Sequence, residues 1–509
     1  MKPNIVFICA DQLGAKWLGC YGSGVESTPT LDRLAREGVR FDRCYANFPL
    51  CAPSRATMLS GRSAGVHGVI TNNLVYPRNL PTYASVLRRA GYRTGGFGKF
   101  HQTPMHCPVP ENLEWLGFDE SLVTEDPKWP WYRWVRREHP EHAEKALSMC
   151  WNWPTMPRHP EWEKARDLRS ELHGSRSREN GWSRIGASPL PSEVHDTTYI
   201  TDLGLDFMRR HLDEHPDRPF ICHISYVDPH DPCDPPSDYA DLFDPADMPP
   251  ALPAEWVEEG LTFLRKAQED NKFDRVYENR EIIAKFRALY HAQLKYMDDQ
   301  VTRVVEWLKE SGRWDNTILL FTTDHGEMLG DHGQITKCAK HYDAGIRCPL
   351  IVAGGPVACG QADELVSTLD LFPTFCDWAG VEEEDRPPLE GLSMAARCRG
   401  REPAGTRDSL FVGGMGVASV LTADRWRLTR YPGANEGQMF DLGSDPDELQ
   451  NLYDRPEHTD RKVELLEKLN AVARVNEQVP RYDNLALYEG RRFMPEGGDA
   501  RTWLYDYNA

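Results

Sequence analysis

Hydrophobic and polar positions along this chain follow two periods, and the balance between them shifts near residue 380. Before that point, unbroken apolar runs rich in β-forming residues, Ile5–Ala10, Phe220–Val227, Ile318–Phe321 and Leu350–Ala353, predict strands buried on both faces. Val39–Tyr45 and Tyr92–Phe97 predict two more. Between them, apolar residues recur at helical spacing. Leu31, Leu34 and Ala35 follow Thr28 and Thr30, either of which can cap a helix. Further helices are predicted to end at Gly91 and to cover Tyr199–His211 and Leu369–Ala379, and a long amphipathic one runs from about Glu281 to Glu310. Strands alternating with helices imply an α/β fold: a large, mostly parallel sheet sandwiched by helices.

Past residue 380 the runs shorten. Ser409–Gly413, Val417–Thr422 and Trp426–Thr429 predict short strands, and a helix follows from about Arg461 to Asn476, giving a smaller C-terminal α+β domain on an antiparallel sheet. The predicted organisation is a catalytic domain over 1–380, a C-terminal subdomain over 381–480, and a tail over 481–509. That tail closes on aromatic residues suited to docking on the core or on a partner subunit. Residues from about 120 to 190 are irregular. Trp129, Trp131, Trp134, Trp151, Trp153, Trp162 and Trp182 stand there among prolines and charges, predicting an insertion folded over the domain and outside the sheet. Such aromatics either pack the insertion or form the rim of a substrate pocket or an oligomer contact.

Composition narrows the partners. A net charge of −19 disfavours nucleic acid and anionic membranes, while leaving room for a small anionic substrate at a locally positive site. No run approaches the roughly 20 apolar residues of a membrane span. The start of the chain lacks a secretory pattern, and 13 cysteines without paired spacing fit a reducing cytoplasm better than a disulfide framework.

The chemistry gathers at Leu50-Cys51-Ala52-Pro53-Ser54-Arg55. Pro53 suits the first turn of a helix that Gly61 can stop, which places Cys51 at an N-terminus favouring anions. Arg55, one turn on, can reach the same point with a fork suited to an oxyanion. Four predicted strands end in further polar residues: Asp11-Gln12, Lys99 with His101, His230, and Asp324-His325. In an open parallel sheet such ends converge on one crevice. Asp11, Gln12, Asp324 and His325 offer two carboxylates, an amide oxygen and an imidazole to one divalent cation, Ca²⁺ first, with Mn²⁺ or Mg²⁺ as substitutes.

Cys51-x-Pro-Ser-Arg followed by an apolar pair and Gly61 resembles the modification signature of the type I sulfatases, with Ser60 where that family usually has Thr or Ala. Gly91-Tyr92-Arg93-Thr94-x-x-x-Gly98-Lys99-x-His101 matches its second signature, and Met439–Leu452 resembles its C-terminal hairpin. The resemblance spans nearly the whole chain and implies an alkaline-phosphatase-like fold. It also implies that Cys51 is oxidised by a maturation enzyme to 3-oxoalanine (Cα-formylglycine), whose hydrate is the nucleophile. By the same resemblance Arg55 and Lys99 bind sulfate, His101 is the base that completes turnover, and His230 serves the leaving group. The family's last lysine falls at Cys338 by spacing, so Lys337 is assigned to it, with Lys340 second. Lys340 and Asn73 are kept as substrate-binding candidates. The expected substrate is a small sulfate ester of a sugar, an aryl alcohol or a choline-like alcohol, and a homo-oligomer is a candidate assembly. Asp11-Gln12, where many sulfatases carry two acids, resembles the phosphonate monoester hydrolases and phosphodiesterases that share the formylglycine. An inactive binding protein on the same fold is the remote alternative.

Overall fold

The computed structural model describes residues 2–103, 111–125, 128–150, 161, 163–165, 167–168, 185–253, 261–264, 279–431 and 436–478. A nine-stranded sheet organises most of them. Its strands are β1 (Asn4–Ala10), β2 (Val39–Tyr45), β3 (Arg93–Gly98), β4 (Glu120–Val123), β5 (Phe220–Ser225), β6 (Thr317–Thr323), β7 (Arg347–Ala353), β8 (Gly360–Ala362) and β9 (Val366–Ser367). They lie in the order β4-β3-β5-β1-β6-β7-β2-β8, with β9 also on β2. β7 pairs antiparallel with both β6 and β2, while the other pairings are parallel. The sheet is therefore mostly parallel, as the apolar runs predicted. Every residue of β1, β5 and β6 is buried, because helices cover both faces.

Two large cores divide the alternating side chains of the sheet. Phe7, Ile5 and Leu320 face the helices Tyr83–Arg89 and Leu371–Ala379. Val6, Ile8, Leu319 and Phe321 face the long helix Arg280–Glu310 and the helix Asp196–Glu214. The 120–190 segment departs from its expectation at one end. Glu120–Val123 joins the sheet as β4, an edge strand beside β3, in register from Gly95↔Glu120. Its residues are only half-buried up to Val123, so they carry no continuous apolar run to betray it. The remainder behaves as an insertion. The helices Trp129–Glu138 and Ala143–Met149 enclose their own core around Trp131, Val135 and Leu147, with Trp129 and Trp134 packed on it. Trp151, Trp153, Trp162 and Trp182, and the tail beyond 480, lie outside the described residues.

A second sheet takes the order β10-β11-β12-β13: Ser409–Gly414, Val417–Thr422, Trp426–Arg430 and Gly437–Asp441, all antiparallel. Thr459–Gln478 forms its helix. This sheet is fastened to the loops of the first. The Gly413 amide donates to the Asn47 carbonyl at 2.9 Å, and Met415 packs with Phe48 and Leu50, immediately before Cys51. Fully buried Arg427 pairs with Glu448 at 2.7 Å. The other oxygen of Glu448 accepts the Asp343 amide at 2.8 Å, just past the lysine loop. Among the described residues, no helix is long and apolar enough to cross a membrane.

Candidate active site

The carboxyl ends of β1, β3 and β6 meet the helix Cys51–Ser60 from one side. That helix begins at Cys51 itself and stops at Gly61, whose φ of 63° is left-handed. All ten of its residues are buried. The buried side chain of Asn72 accepts the Ala52 amide at 3.0 Å, tying down the first turn. Gly98 ends β3 at φ 103°, where a Cβ would stand 1.9 Å from the Ser225 carbonyl oxygen, so only glycine lets the chain deliver Lys99 here. Gln12 (φ 61°) and His101 (φ 50°) also sit in the left-handed region, which non-glycine residues occupy mostly where structure around them enforces it.

Cys51, Asp11, Asp324 and His325 come together, each contributing one donor atom, all within 4.8 Å of one another. Cys51 Sγ lies 3.2 Å from His325 Nε2 and 3.7 Å from Asp11 Oδ1. His325 Nδ1 donates to the Gly326 carbonyl at 3.1 Å, which leaves the Nε2 lone pair facing the cluster. This set suits a divalent cation: two carboxylates and an imidazole are convergent, buried and held by partners outside the cluster.

Arg55 stands differently from its sequence expectation. Its Nε donates to Asp324 at 2.8 Å, and its Nη1 donates to the Lys99 carbonyl at 2.7 Å and to Ser225 Oγ at 2.8 Å. Nη2 lies 3.4 Å from Asp11. The fork holds the carboxylates and the end of β3. Lys99 pairs with Asp11 Oδ2 at 2.5 Å. Burial opposes the charge on Lys99, but Asp11 and Cys51 restore it and raise its pKa. Burial would likewise raise the Cys51 thiol. Lys337, Lys99 and His325 overcome that and hold it well below the ordinary thiol range. The pocket around residue 51 is thus built for an anion.

Lys337 and His230 close the other side. Lys337 Nζ donates to His230 Nε2 at 2.5 Å and to Gln12 Oε1. His230 Nδ1 faces the Asp231 carbonyl at 2.6 Å, so Nε2 is the acceptor of the lysine's proton. Lys340 is turned away, with its ammonium on the Ile335 carbonyl at 2.5 Å. Asn73 makes a local turn contact from its own amide to Thr71. The Gln12 carboxamide is engaged on both ends. Its Nε2 donates to Glu327 at 2.5 Å and Asp231 at 3.1 Å, while Oε1 faces Lys337. Both ring nitrogens of buried His101 lack a geometric hydrogen-bond partner, and its backbone amide donates to Glu125 at 2.8 Å.

Sequence inspection missed Glu327, Asn72, Ser225 and Glu125. Glu327 directly follows Asp324-His325-Gly326 and could have been flagged by position alone. Its Oε1 accepts the Leu329 and Thr336 amides at 2.9 and 2.6 Å, shaping the loop that presents Lys337.

The sheet, its second antiparallel unit and the placement of residue 51 define an alkaline-phosphatase-like hydrolase. Residues 3–381 match the sulfatase family, and residues 330–475 match the C-terminal region of N-sulphoglucosamine sulphohydrolase. The chain belongs to the type I sulfatase family of the alkaline phosphatase superfamily. It is 29% identical to an arylsulfatase of Clostridium perfringens over 485 residues, covering 92% of this chain and 94% of that enzyme. A choline-sulfatase of Rhizobium meliloti is 28% identical, with 89% of this chain and 83% of that one aligned. Among solved structures, the phosphonate monoester hydrolase of Agrobacterium radiobacter superposes with a TM-score of 0.74 at 25% identity, covering 93% and 96% of the two chains.

Arg55→Ala should leave two buried carboxylates without their guanidinium. The expected loss is about 3–5 kcal/mol of stability, read by denaturant unfolding. A loss of activity with unchanged stability would instead make Arg55 a substrate clamp.

Proposed function

We propose that the protein hydrolyses a sulfate monoester of a small alcohol through a nucleophile carried on residue 51. The observation that supports this most is the position of Cys51: at a buried helix start, within reach of Asp11, Asp324 and His325, and beside the ammonium groups of Lys99 and Lys337. Converted to formylglycine, residue 51 supplies a geminal diol in place of a single hydroxyl or thiol. A divalent cation held by Asp11, Asp324 and His325, with residue 51 beside it, supplies Lewis acidity at this point. Gln12 Oε1 is a further candidate ligand, although it now faces Lys337. Among Ca²⁺, Mn²⁺ and Mg²⁺, the imidazole of His325 favours Mn²⁺ and the carboxylates accept all three.

The chain's own residues divide the remaining work. Lys99 and Lys337 stabilise charge on the ester's non-bridging oxygens. Arg55 fixes Asp11, Asp324 and the end of β3, so that donors stay in place when charge develops. Lys337 donates to His230 Nε2, and this pair protonates the departing alcohol. His101, whose side chain reaches residue 51, takes a proton from it.

A second reaction class has its own support. Gln12 and His325 leave fewer acids at the cation than two further carboxylates would, which suits a more anionic phosphoryl centre, and the Agrobacterium radiobacter enzyme is a phosphonate monoester hydrolase. The names of two relatives, an arylsulfatase and a choline-sulfatase, support a small ester. Cys9, Cys44, Cys51, Cys222, Cys348 and Cys376 are buried free thiols, which supports a reducing, cytoplasmic setting.

When the chain is made with a formylglycine-generating enzyme, the Cys51 peptide should carry the aldehyde mass, and Cys51→Ala should lose turnover by several orders of magnitude while staying folded. Near-normal turnover in Cys51→Ala would overturn the proposal. Chelation should abolish activity, and Mn²⁺ or Ca²⁺ should restore it; activity in protein free of divalent metal by elemental analysis would refute the cation's role. His230→Ala should slow alkyl sulfates by about 10²–10⁴-fold and activated aryl sulfates far less, because a phenolate leaves without a proton. Equal losses across leaving groups would remove His230 from proton transfer. A screen of sulfate monoesters against phosphonate monoesters and phosphate diesters decides between the two classes.

A further inference from the structure

The side chain that closes the cation cluster is, before any modification, a thiol. Asp11, Cys51, Asp324 and His325 are each at most 1% exposed. The measured edges are 3.2 Å from Sγ to His325 Nε2, 3.7 Å from Sγ to Asp11 Oδ1, and 3.7 Å from His325 Nε2 to each of Asp11 Oδ1 and Asp324 Oδ1. A tetrahedral Zn²⁺ site with Zn–S about 2.3 Å and Zn–N or Zn–O about 2.0–2.1 Å has edges of about 3.3–3.6 Å. These four edges bracket that range and every donor pair lies within 4.8 Å, so small shifts of the ligands give the size of a four-coordinate zinc site.

Each ligand is also oriented from behind. Lys99 takes Asp11 Oδ2 and leaves Oδ1 on the cluster side. Arg55 takes Asp324 Oδ2 and leaves Oδ1, which is steadied by the Gln12 and His325 amides at 3.1 and 2.9 Å. The Gly326 carbonyl fixes the His325 tautomer with Nε2 free. Asn72 pins the turn that carries Cys51. Such outer contacts are what metal centres use to hold their ligands ready. A thiolate and an imidazole select a thiophilic metal, and Zn²⁺ outranks Mn²⁺, Mg²⁺ and Ca²⁺ on such a set.

We propose that the chain with unconverted Cys51 is a Zn²⁺-binding protein, with Asp11, Cys51, Asp324 and His325 as its four ligands. Zinc binding releases the thiol proton and needs no other reactant. Replacing the sulfur by the oxygens of a formylglycine hydrate removes the soft ligand, so conversion of residue 51 shifts the metal preference toward oxygen-seeking cations. Only that second half rests on the function proposed above. An unconverted pool would be recognisable by its zinc, and its Cys51 would be masked while zinc stays bound.

The test uses full-length protein made without a maturation enzyme, with an intact Cys51 verified by mass, stripped by chelation and titrated with Co²⁺ and then Zn²⁺. The expected result is a thiolate-to-Co²⁺ charge-transfer band, bleached by one equivalent of Zn²⁺ and missing in Cys51→Ser. Zinc should bind at least about 100-fold more weakly to that variant. Circular dichroism confirms that the variant is folded. Should it not fold, mass mapping of iodoacetamide labelling on the parent chain replaces it, with Zn²⁺ expected to protect the Cys51 peptide. A missing band, or labelling of Cys51 unaffected by Zn²⁺, overturns the proposal. The spectrum requires no turnover, so zinc binding by the unconverted chain, beside a formylglycine-containing chain with no sulfatase activity, would refute the function proposed above and leave this inference standing.

Discussion

Two carboxylates with no solvent contact, Asp11 and Asp324, set the terms for the rest of the structure. Such groups stay charged only if opposite charge is brought to them at short range. Arg55 and Lys99 answer that demand from two different segments, one on the helix behind Cys51 and one at the end of β3. The compensation welds together strand ends that are hundreds of residues apart in sequence. It also means that Arg55 is committed to holding Asp11, Asp324 and the end of β3.

Much of this was legible in advance, because one signal dominates: strands covered on both faces must be continuously apolar. β1, β2, β5 and β6 appeared within a residue or two of their predicted ends, and polar residues at those ends marked the crevice. What escaped notice has a common cause. β4 is an edge strand with half-buried side chains, so Glu120 and Ser121 carry no such signature. The roles of Arg55, Lys340 and Gln12 depend on which way a long side chain turns, and the sequence lists donors without directions. Lys340 bonds a carbonyl of its own loop, whereas Lys337, three residues earlier, reaches His230. Glu327 matters through two backbone amides and one carboxamide, none of which leaves a compositional trace.

The preference between sulfuryl and phosphoryl centres turns on the same geometry. Gln12 presents its oxygen to Lys337 because Glu327 and Asp231 take both protons of its amide nitrogen. A neutral ligand is thereby oriented as firmly as a charged one, without adding a negative charge beside the transferred group.

The small antiparallel sheet gives the molecule an order of events in time. Its first turn props Phe48 and Leu50 beneath Cys51, and its Glu448 grips the segment beyond Lys337. Those props are synthesised after the nine-stranded sheet. A ribosome that has released the entire nine-stranded sheet has released every reactive group but not the contacts that seat them. A chain interrupted before residue 409 carries all of the chemistry but lacks these two supports of its alignment.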